Sequence, residues 1–312
     1  MLTLPERLNA VSEPLSLKAL KLILALSERY SYVPISVIER GLNVSHELTV
    51  RSLENLVEFG LVRSSLKMGE YAYQLTFAGL DVLATVRLMS KGYLSRVGPR
   101  LFAGKESEIY VAWSPSGSEL IIKFHREGAR SFRSLRRTRH YGRVKSKAPW
   151  IIVAKESASR EFRALAMLSR LGCAVPKPIT LELHGIVMEY LNGTELSKAS
   201  WLSKELAEGV LNDIINTIRI AYRDGGIVHG DLSPYNILIV DNGGNVKGYV
   251  IDWPQYVDAK SEVADELLYR DLDNIATYFN KSFGLNVSAE DLLKRVKGEQ
   301  MDGPTEQHLY GR

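Results

Sequence analysis

The sequence predicts an α+β chain in two parts, a small helical unit closed by a hairpin and a larger two-lobed domain. Three observations predict it. Apolar residues recur at helical spacing through residues 17–92. From about residue 97 short strand-like runs take over. Long amphipathic helices then flank "IVHGDLSPYNILI", residues 227–239, which holds Asp231 and Asn236 between two apolar runs. The expected boundaries are 1–92 for the first unit, 93–285 for the second, and 286–312 for a C-terminal helix and tail. Within the second unit the lobes divide at about 97–189 and 190–285.

The first unit opens with "SLKALKLILALSERY", a helix by its leucine and isoleucine spacing. "PISVIERGL" is a short second helix with Pro34 near its start and Gly41 near its end. Ser45 can cap a third helix that Gly60 ends. "LVRSSLKMGEYAYQLT" alternates around the turn "LKMGE" and is a hairpin, and "FAGLDVLATVRLMSKG" closes the unit as a helix. Three helices, a hairpin and a helix make a winged helix. Its third helix offers His46 and Arg51, but also Glu47, Glu54 and Glu58, so it suits phosphates poorly. Arg63 and Lys67 on the wing help.

In the second unit, "SEIYVAW" and "SELIIKF" are strands joined by the turn "SPSG". An amphipathic helix, "SASREFRALAMLSRLG", starts near Ser157 or Ser159. "GIVMEY" is an apolar strand and "NGTEL" a loop. The helix "LSKELAEGVLNDIINTIRIAYRDGG" ends at its glycine pair, and "ILIV", "DNGGN" and "VKGYVIDW" form a hairpin. "EVADELLYRDLDNIATYFNKSFG" is a further helix.

Composition narrows the class. With 45% apolar residues and no uninterrupted apolar run near the roughly 18 of a membrane span, the chain is expected to be a soluble, cytoplasmic, monomer-capable protein. The start lacks a signal-peptide pattern. A single cysteine, Cys173, excludes an intramolecular disulfide and a cysteine-only zinc site, and is expected to be buried. Net charge is only +4, but residues 126–147, "REGARSFRSLRRTRHYGRVKSK", hold one acid among many arginines and lysines. So dense a cluster favours a polyanion such as nucleic acid over plain solvent.

Phosphoryl transfer needs a cradle for phosphates, a fixed cation, metal ions and a carboxylate near the acceptor. The chain supplies candidates in order. Gly104 lets the backbone approach phosphates, with Lys105 and Ser107 adding polar contacts. Lys123 ends an apolar strand and needs a partner, for which Glu161 on the next helix is the obvious choice. The hairpin after Asn236 returns Asp252 beside it, so amide oxygen and carboxylate can share Mg²⁺. Asp231, kept off the metal, can orient the attacking hydroxyl or water and take its proton. His229 is expected to brace the loop.

"HGDLSPYN" and "IDWPQ" resemble the catalytic and metal loops of the kinase-like superfamily. "GKES", "KFHREGARSFR", "REFRAL" and "IDWPQ" together resemble the RIO family of atypical protein kinases, and the winged helix points to its type-two subfamily. The resemblance spans about residues 17–285 and is nearer to archaeal than to longer eukaryotic members. It implies a compact bilobal protein-kinase-like domain using ATP and Mg²⁺, with Mn²⁺ as a substitute. It places adenine beside Met188, Glu189 and Tyr190, and makes Asp252 the carrier of a transient aspartyl phosphate. It also implies autophosphorylation, for which Ser131 is a candidate equally readable as a turn cap, and a role in maturing the small ribosomal subunit. The basic block and winged helix would then dock on rRNA or ribosomal protein.

Phe102 departs from the pattern, standing where the type-two phosphate loop has its first glycine, and Trp253 replaces a frequent phenylalanine. Gly230 stands where ordinary protein kinases carry arginine, and the chain after "IDWPQYVDAKS" runs almost at once into a helix. An extended activation loop and peptide-gripping helices are therefore expected to be absent. Two other readings stay open: a small-molecule phosphotransferase of aminoglycoside or choline kinase type, and a nucleic-acid regulator with an inactive kinase-like domain.

Overall fold

The computed structural model describes residues 2–126 and 150–298. They group into two compact units, one of residues up to 162 with 179–190, the other of 163–178 with 191 onward. The basic block from residue 127, with Ser131, and the tail beyond residue 298 lie outside the described residues.

The first unit begins with a helix that the sequence reading lacked, α1 (Leu4–Leu8), closed by a Thr3/Glu6 capping box. The expected helices follow as α2 (Pro14–Leu26), α3 (Ile35–Leu42) and α4 (His46–Glu58), then the hairpin β2 (Val62–Lys67) and β3 (Glu70–Leu75), and α5 (Phe77–Ser90). Asn43, in the left-handed region at φ 54°, ends α3 in place of Gly41, which lies within the helix. Ser45 caps α4 as expected, accepting from Leu48 N. The two-residue β1 (Val33–Pro34) pairs with β3, so the wing is a three-stranded sheet in order β1-β3-β2.

A five-stranded antiparallel sheet follows, in order β4-β5-β6-β8-β7: β4 (Arg96–Ala103), β5 (Ser107–Trp113), β6 (Glu119–His125), β7 (Pro178–Glu182) and β8 (Gly185–Glu189). β4 and β7 are the edge strands, and neither was expected from the sequence. The core runs without a break from Leu20, Ile23, Leu53, Leu80 and Leu83 of the helical part to Tyr110, Ile122, Phe124 and Val187 of this sheet. The winged helix therefore shares its core with the sheet. Helix α6 (Trp150–Arg170) starts earlier than expected, so Ser157 and Ser159 lie inside it rather than at its start. Ser157 is buried and bonded to His125.

In the second unit, α7 (Lys204–Arg223), α8 (Ala264–Phe283) and α9 (Ala289–Lys297) accompany small sheets. β11 (Ile237–Asn242) and β12 (Asn245–Val250) form the expected hairpin, joined on the other edge of β11 by β9 (Thr194–Glu195). β10 (Ile227–Val228) pairs with β13 (Val257–Asp258). Cys173 is buried, and burial pushes its thiol up to about 11, so it stays protonated. Among the described residues no helix is long and apolar enough to cross a membrane.

Candidate active site

Strand β6 carries Lys123 into the interior of the first unit. Its Nζ lies 2.7 Å from Glu161 Oε1 on α6, with side-chain exposures of 8% and 2%. Burial pushes the Glu161 carboxyl up, but Lys123 and then His125 outweigh it, and the group is held well below the usual carboxylate range. The pair is thus ionised, and the lysine head is fixed where a strand end can present it to phosphates. The expected pairing is present.

The adjoining turn supplies the phosphate-loop candidates. Gly104 N donates to Ser107 O at 2.9 Å, closing the turn between β4 and β5, and Ser107 pairs with His125 in the ladder. A Cβ on Gly104 would meet the Phe102 ring at 2.8 Å, so the departure at Phe102 is accommodated by the bare backbone of Gly104. Lys105 is exposed in this turn. Met188 is buried opposite Ile121, Glu189 faces Leu120, and Tyr190 ends this unit.

One sequence expectation needs correction here. Arg126 was counted with the cationic block, yet its side chain is only 9% exposed. Its Nη1 donates to Asp81 Oδ1 at 2.7 Å and its Nη2 to Asp81 Oδ2 at 2.5 Å. Glu108 Oε2 lies 3.4 Å away, and His184 Nε2 is 2.9 Å from Asp81 Oδ1. A guanidinium held in this way is unavailable to a polyanion. Its backbone N also donates to Glu106 O at 2.7 Å, so α5 of the winged helix is tied through Asp81 and Arg126 to the turn that carries Gly104.

The second unit holds the loop of residues 229–236. Gly230 takes φ 76°, a conformation that favours glycine over the arginine found at this position in ordinary protein kinases. Three residues of α8, which sequence reasoning missed, hold the loop. Asp271 Oδ2 accepts from Gly230 N at 2.7 Å and its Oδ1 from Leu232 N at 3.1 Å. Arg270 donates to Gly230 O at 2.7 Å, and Asn274 to Leu232 O at 3.2 Å. Burial pushes Asp271 up to about 6, against the two backbone donors. The only local signal was the run of polar residues in "YRDLDN", which reads equally well as a solvated helix face.

Asn236 and Asp252 come together as expected. Ile237 opposes Val250 in the ladder, and Ile251 N donates to Asn236 O at 2.9 Å. Asn236 Nδ2 donates to Asp231 O at 2.8 Å, which commits the amide nitrogen to the loop and makes Oδ1 the atom that would meet a metal. Asp252 has φ 67°, a left-handed conformation that aspartate tolerates better than most residues and that tends to cluster at functional sites. Trp253, fully buried, donates from Nε1 to Val250 O, and His229 packs on it while donating from Nε2 to Ile251 O at 3.1 Å. His229 therefore braces the loop. Two hard oxygen donors suit Mg²⁺, which takes few protein ligands beside phosphate and water. Among the described residues no cluster of three His, Cys, Asp or Glu forms a metal cage. Lys123 and Glu161 belong to the first unit, and Asp231, Asn236 and Asp252 to the second.

The fold and these residues define a kinase-like phosphotransferase with an N-terminal winged helix. Residues 108–292 match the family described as RIO domain, and residues 13–91 the one described as Rio2, N-terminal. The RIO-type serine/threonine-protein kinase Rio2 of Methanocaldococcus jannaschii is 34% identical over 255 residues, covering 81% of this chain and 91% of its own. The serine/threonine-protein kinase rio2 of Schizosaccharomyces pombe is 30% identical over 279 residues, covering 88% and 79%. A solved Rio2 kinase–ADP/Mg²⁺–phosphoaspartate complex from Chaetomium thermophilum matches with a TM-score of 0.74 at 26% identity, over 92% of this chain and 87% of that one. The chain belongs to the RIO family of serine/threonine kinases and is an enzyme. The match to the Rio2 N-terminal family disfavours a small-molecule phosphotransferase.

Proposed function

We propose that this chain binds ATP with Mg²⁺ (Mn²⁺ serving as a substitute) and acts chiefly as an ATPase that times a step in maturation of the small ribosomal subunit. The observation that carries this reading is a full phosphotransfer set with almost no chain left for gripping a peptide. Only residues 253–263 separate Asp252 from α8, and two of them are tied back as β13 against β10, next to the catalytic loop. Gly230 supports the same view, since its backbone favours glycine over the arginine that would sense a phosphorylated activation loop.

In this reading Lys123, fixed by Glu161, holds the α- and β-phosphates, and Asn236 and Asp252 hold the metal. The metal ion neutralises charge on the phosphates when bound. Asp231 orients the water of the hydrolysis step, or the hydroxyl in autophosphorylation, and accepts its proton. Asp252 accepts the phosphoryl group, its carboxylate oxygen bonding to the γ-phosphorus as the bond to ADP breaks, and water then releases phosphate. The left-handed backbone at Asp252 and the aspartyl phosphate in the related Rio2 complex support that assignment. The protein works in the cytoplasm as a monomer, docking on rRNA and ribosomal protein through the basic block and winged helix, and autophosphorylates, with Ser131 the candidate acceptor.

The test is ATP turnover by the pure protein, with and without small-subunit particles, alongside Asp252→Ala. Phosphate release that particles stimulate and Asp252→Ala abolishes is the expected result. Efficient phosphorylation of a free protein, indifferent to particles, would overturn it.

A further inference from the structure

Glu161 has two carboxylate oxygens, and the ion pair with Lys123 uses only one. The other, Oε2, lies 2.8 Å from Nε2 of His125, and both side chains are 2% exposed. The contact is off the line of an ideal hydrogen bond, yet neither atom has another hydrogen-bond partner among the described residues. A buried polar atom without a partner is costly, and two such atoms facing each other at this distance can satisfy one another in only one way. His125 must carry its proton on Nε2 and donate it to Oε2. The other ring nitrogen supports that tautomer: Ser157 Oγ is 3.0 Å from His125 Nδ1, and its hydroxyl can donate there.

We infer that His125 is a positioning residue for nucleotide binding, the second anchor of the carboxylate that holds Lys123. Hydroxyl, imidazole, carboxylate and ammonium form one buried chain: Ser157, His125, Glu161, Lys123. The chain joins β6 to α6, because Lys123 and His125 project from β6 and Ser157 and Glu161 lie four positions apart on the helix. With both oxygens engaged, the carboxylate plane cannot rotate when the Lys123 head turns toward phosphate. Backbone geometry adds a second tie, since His125 opposes Ser107 in the ladder and its N donates to His184 O at 3.0 Å. Packing alone would not place an imidazole with both nitrogens opposite polar side chains in so dry a position.

This inference rests on the proposed nucleotide reading for its ligand, and the test separates the two. Binding of a non-hydrolysable ATP analogue with Mg²⁺ is measured by calorimetry on the full chain and on His125→Leu, His125→Gln and Glu161→Gln. His125→Leu is expected to weaken binding about tenfold. His125→Gln, whose amide can reach Oε2, is expected to recover most of it. In the Glu161→Gln background His125→Leu should add less than about twofold, since a residue acting through another is non-additive with it. Ser157→Ala, a milder change, serves if His125→Leu does not fold, with a loss of about threefold expected. Unchanged affinity in His125→Leu, or additivity with Glu161→Gln, overturns the inference. A wild-type chain that ignores the analogue would overturn the nucleotide reading. A urea-unfolding cycle on the wild type, His125→Leu, Glu161→Gln and the double variant would still decide the His125–Glu161 coupling, which full additivity would refute.

Discussion

Replacing Asp271 by asparagine should separate the stability of this protein from its turnover. The carboxylate accepts two backbone N–H bonds, at 2.7 and 3.1 Å, that fix the residues on either side of Asp231. Asparagine keeps one acceptor and turns an amide N–H₂ toward the other donor, leaving a buried N–H unpaired at a cost of about 1–3 kcal/mol. Against this, the ionised carboxylate is itself unwelcome in the fold. With a folded pKa of about 6 over an ordinary 3.8, ionisation costs about 3 kcal/mol more in the folded than in the unfolded chain. The pKa is raised, so this stabilising contribution is complete below pH 4 and is lost as pH rises through 6. The two effects nearly cancel at pH 7.5, and the variant's unfolding free energy should then lie within about 2 kcal/mol of wild type. At pH 5 the wild type should hold the advantage. Turnover has no such compensation: with one loop anchor gone, kcat should fall about 10- to 100-fold. Urea denaturation at pH 5 and 7.5 beside steady-state ATP turnover reads both quantities. Wild-type kcat, or a loss of more than about 4 kcal/mol at pH 7.5, would show that the loop is held by something else.

Glu161→Ala should cost about 3–5 kcal/mol, because it removes a buried carboxylate that lies against both Lys123 and His125, measured by chemical denaturation. Asp81→Ala should cost a similar amount by leaving Arg126 buried without its bidentate partner, and nucleotide affinity should fall with it although Asp81 belongs to the winged helix. Asp252→Ala should abolish turnover and also lower the melting temperature, since alanine tolerates the left-handed backbone at φ 67° less well than aspartate. Trp253→Ala should cost about 3–5 kcal/mol and also lower turnover, since the ring packs on His229 and its Nε1 donates to Val250 O near Asp252.

The parts of the site that were legible in the sequence are those where one residue type was out of place in its local pattern. A lysine in the apolar strand "LIIK" demanded a partner, and Glu161 was within one strand-to-helix step. The hairpin signal "DNGGN" fixed the return of Asp252 to Asn236. His125 and Asp271 were not legible, since a histidine at a strand end and an aspartate in a charged helix are each ordinary until the fold supplies their neighbours. Asp271 meets Gly230 across 41 positions. Among the strands, β4 was hidden by Gly98 and Pro99, which break the alternation, and edge strands tolerate such residues because one side needs no ladder. Ser157 misled as a cap because serine favours helix starts, whereas here its hydroxyl serves an imidazole.

The tie between Asp81 and His184 spans 103 positions, and this has a consequence for how the protein is made. At about 5–20 residues per second, the carboxylate waits roughly 5–20 s on the ribosome before its last partner is synthesised. During that interval the winged helix carries an acid meant for a dry interior, on a helix whose neighbours in the sheet do not yet exist. The winged helix thus emerges before the sheet and cannot complete its burial until the sheet has been made. Its last contacts form when β8 follows the turn that bears His184 and closes the core.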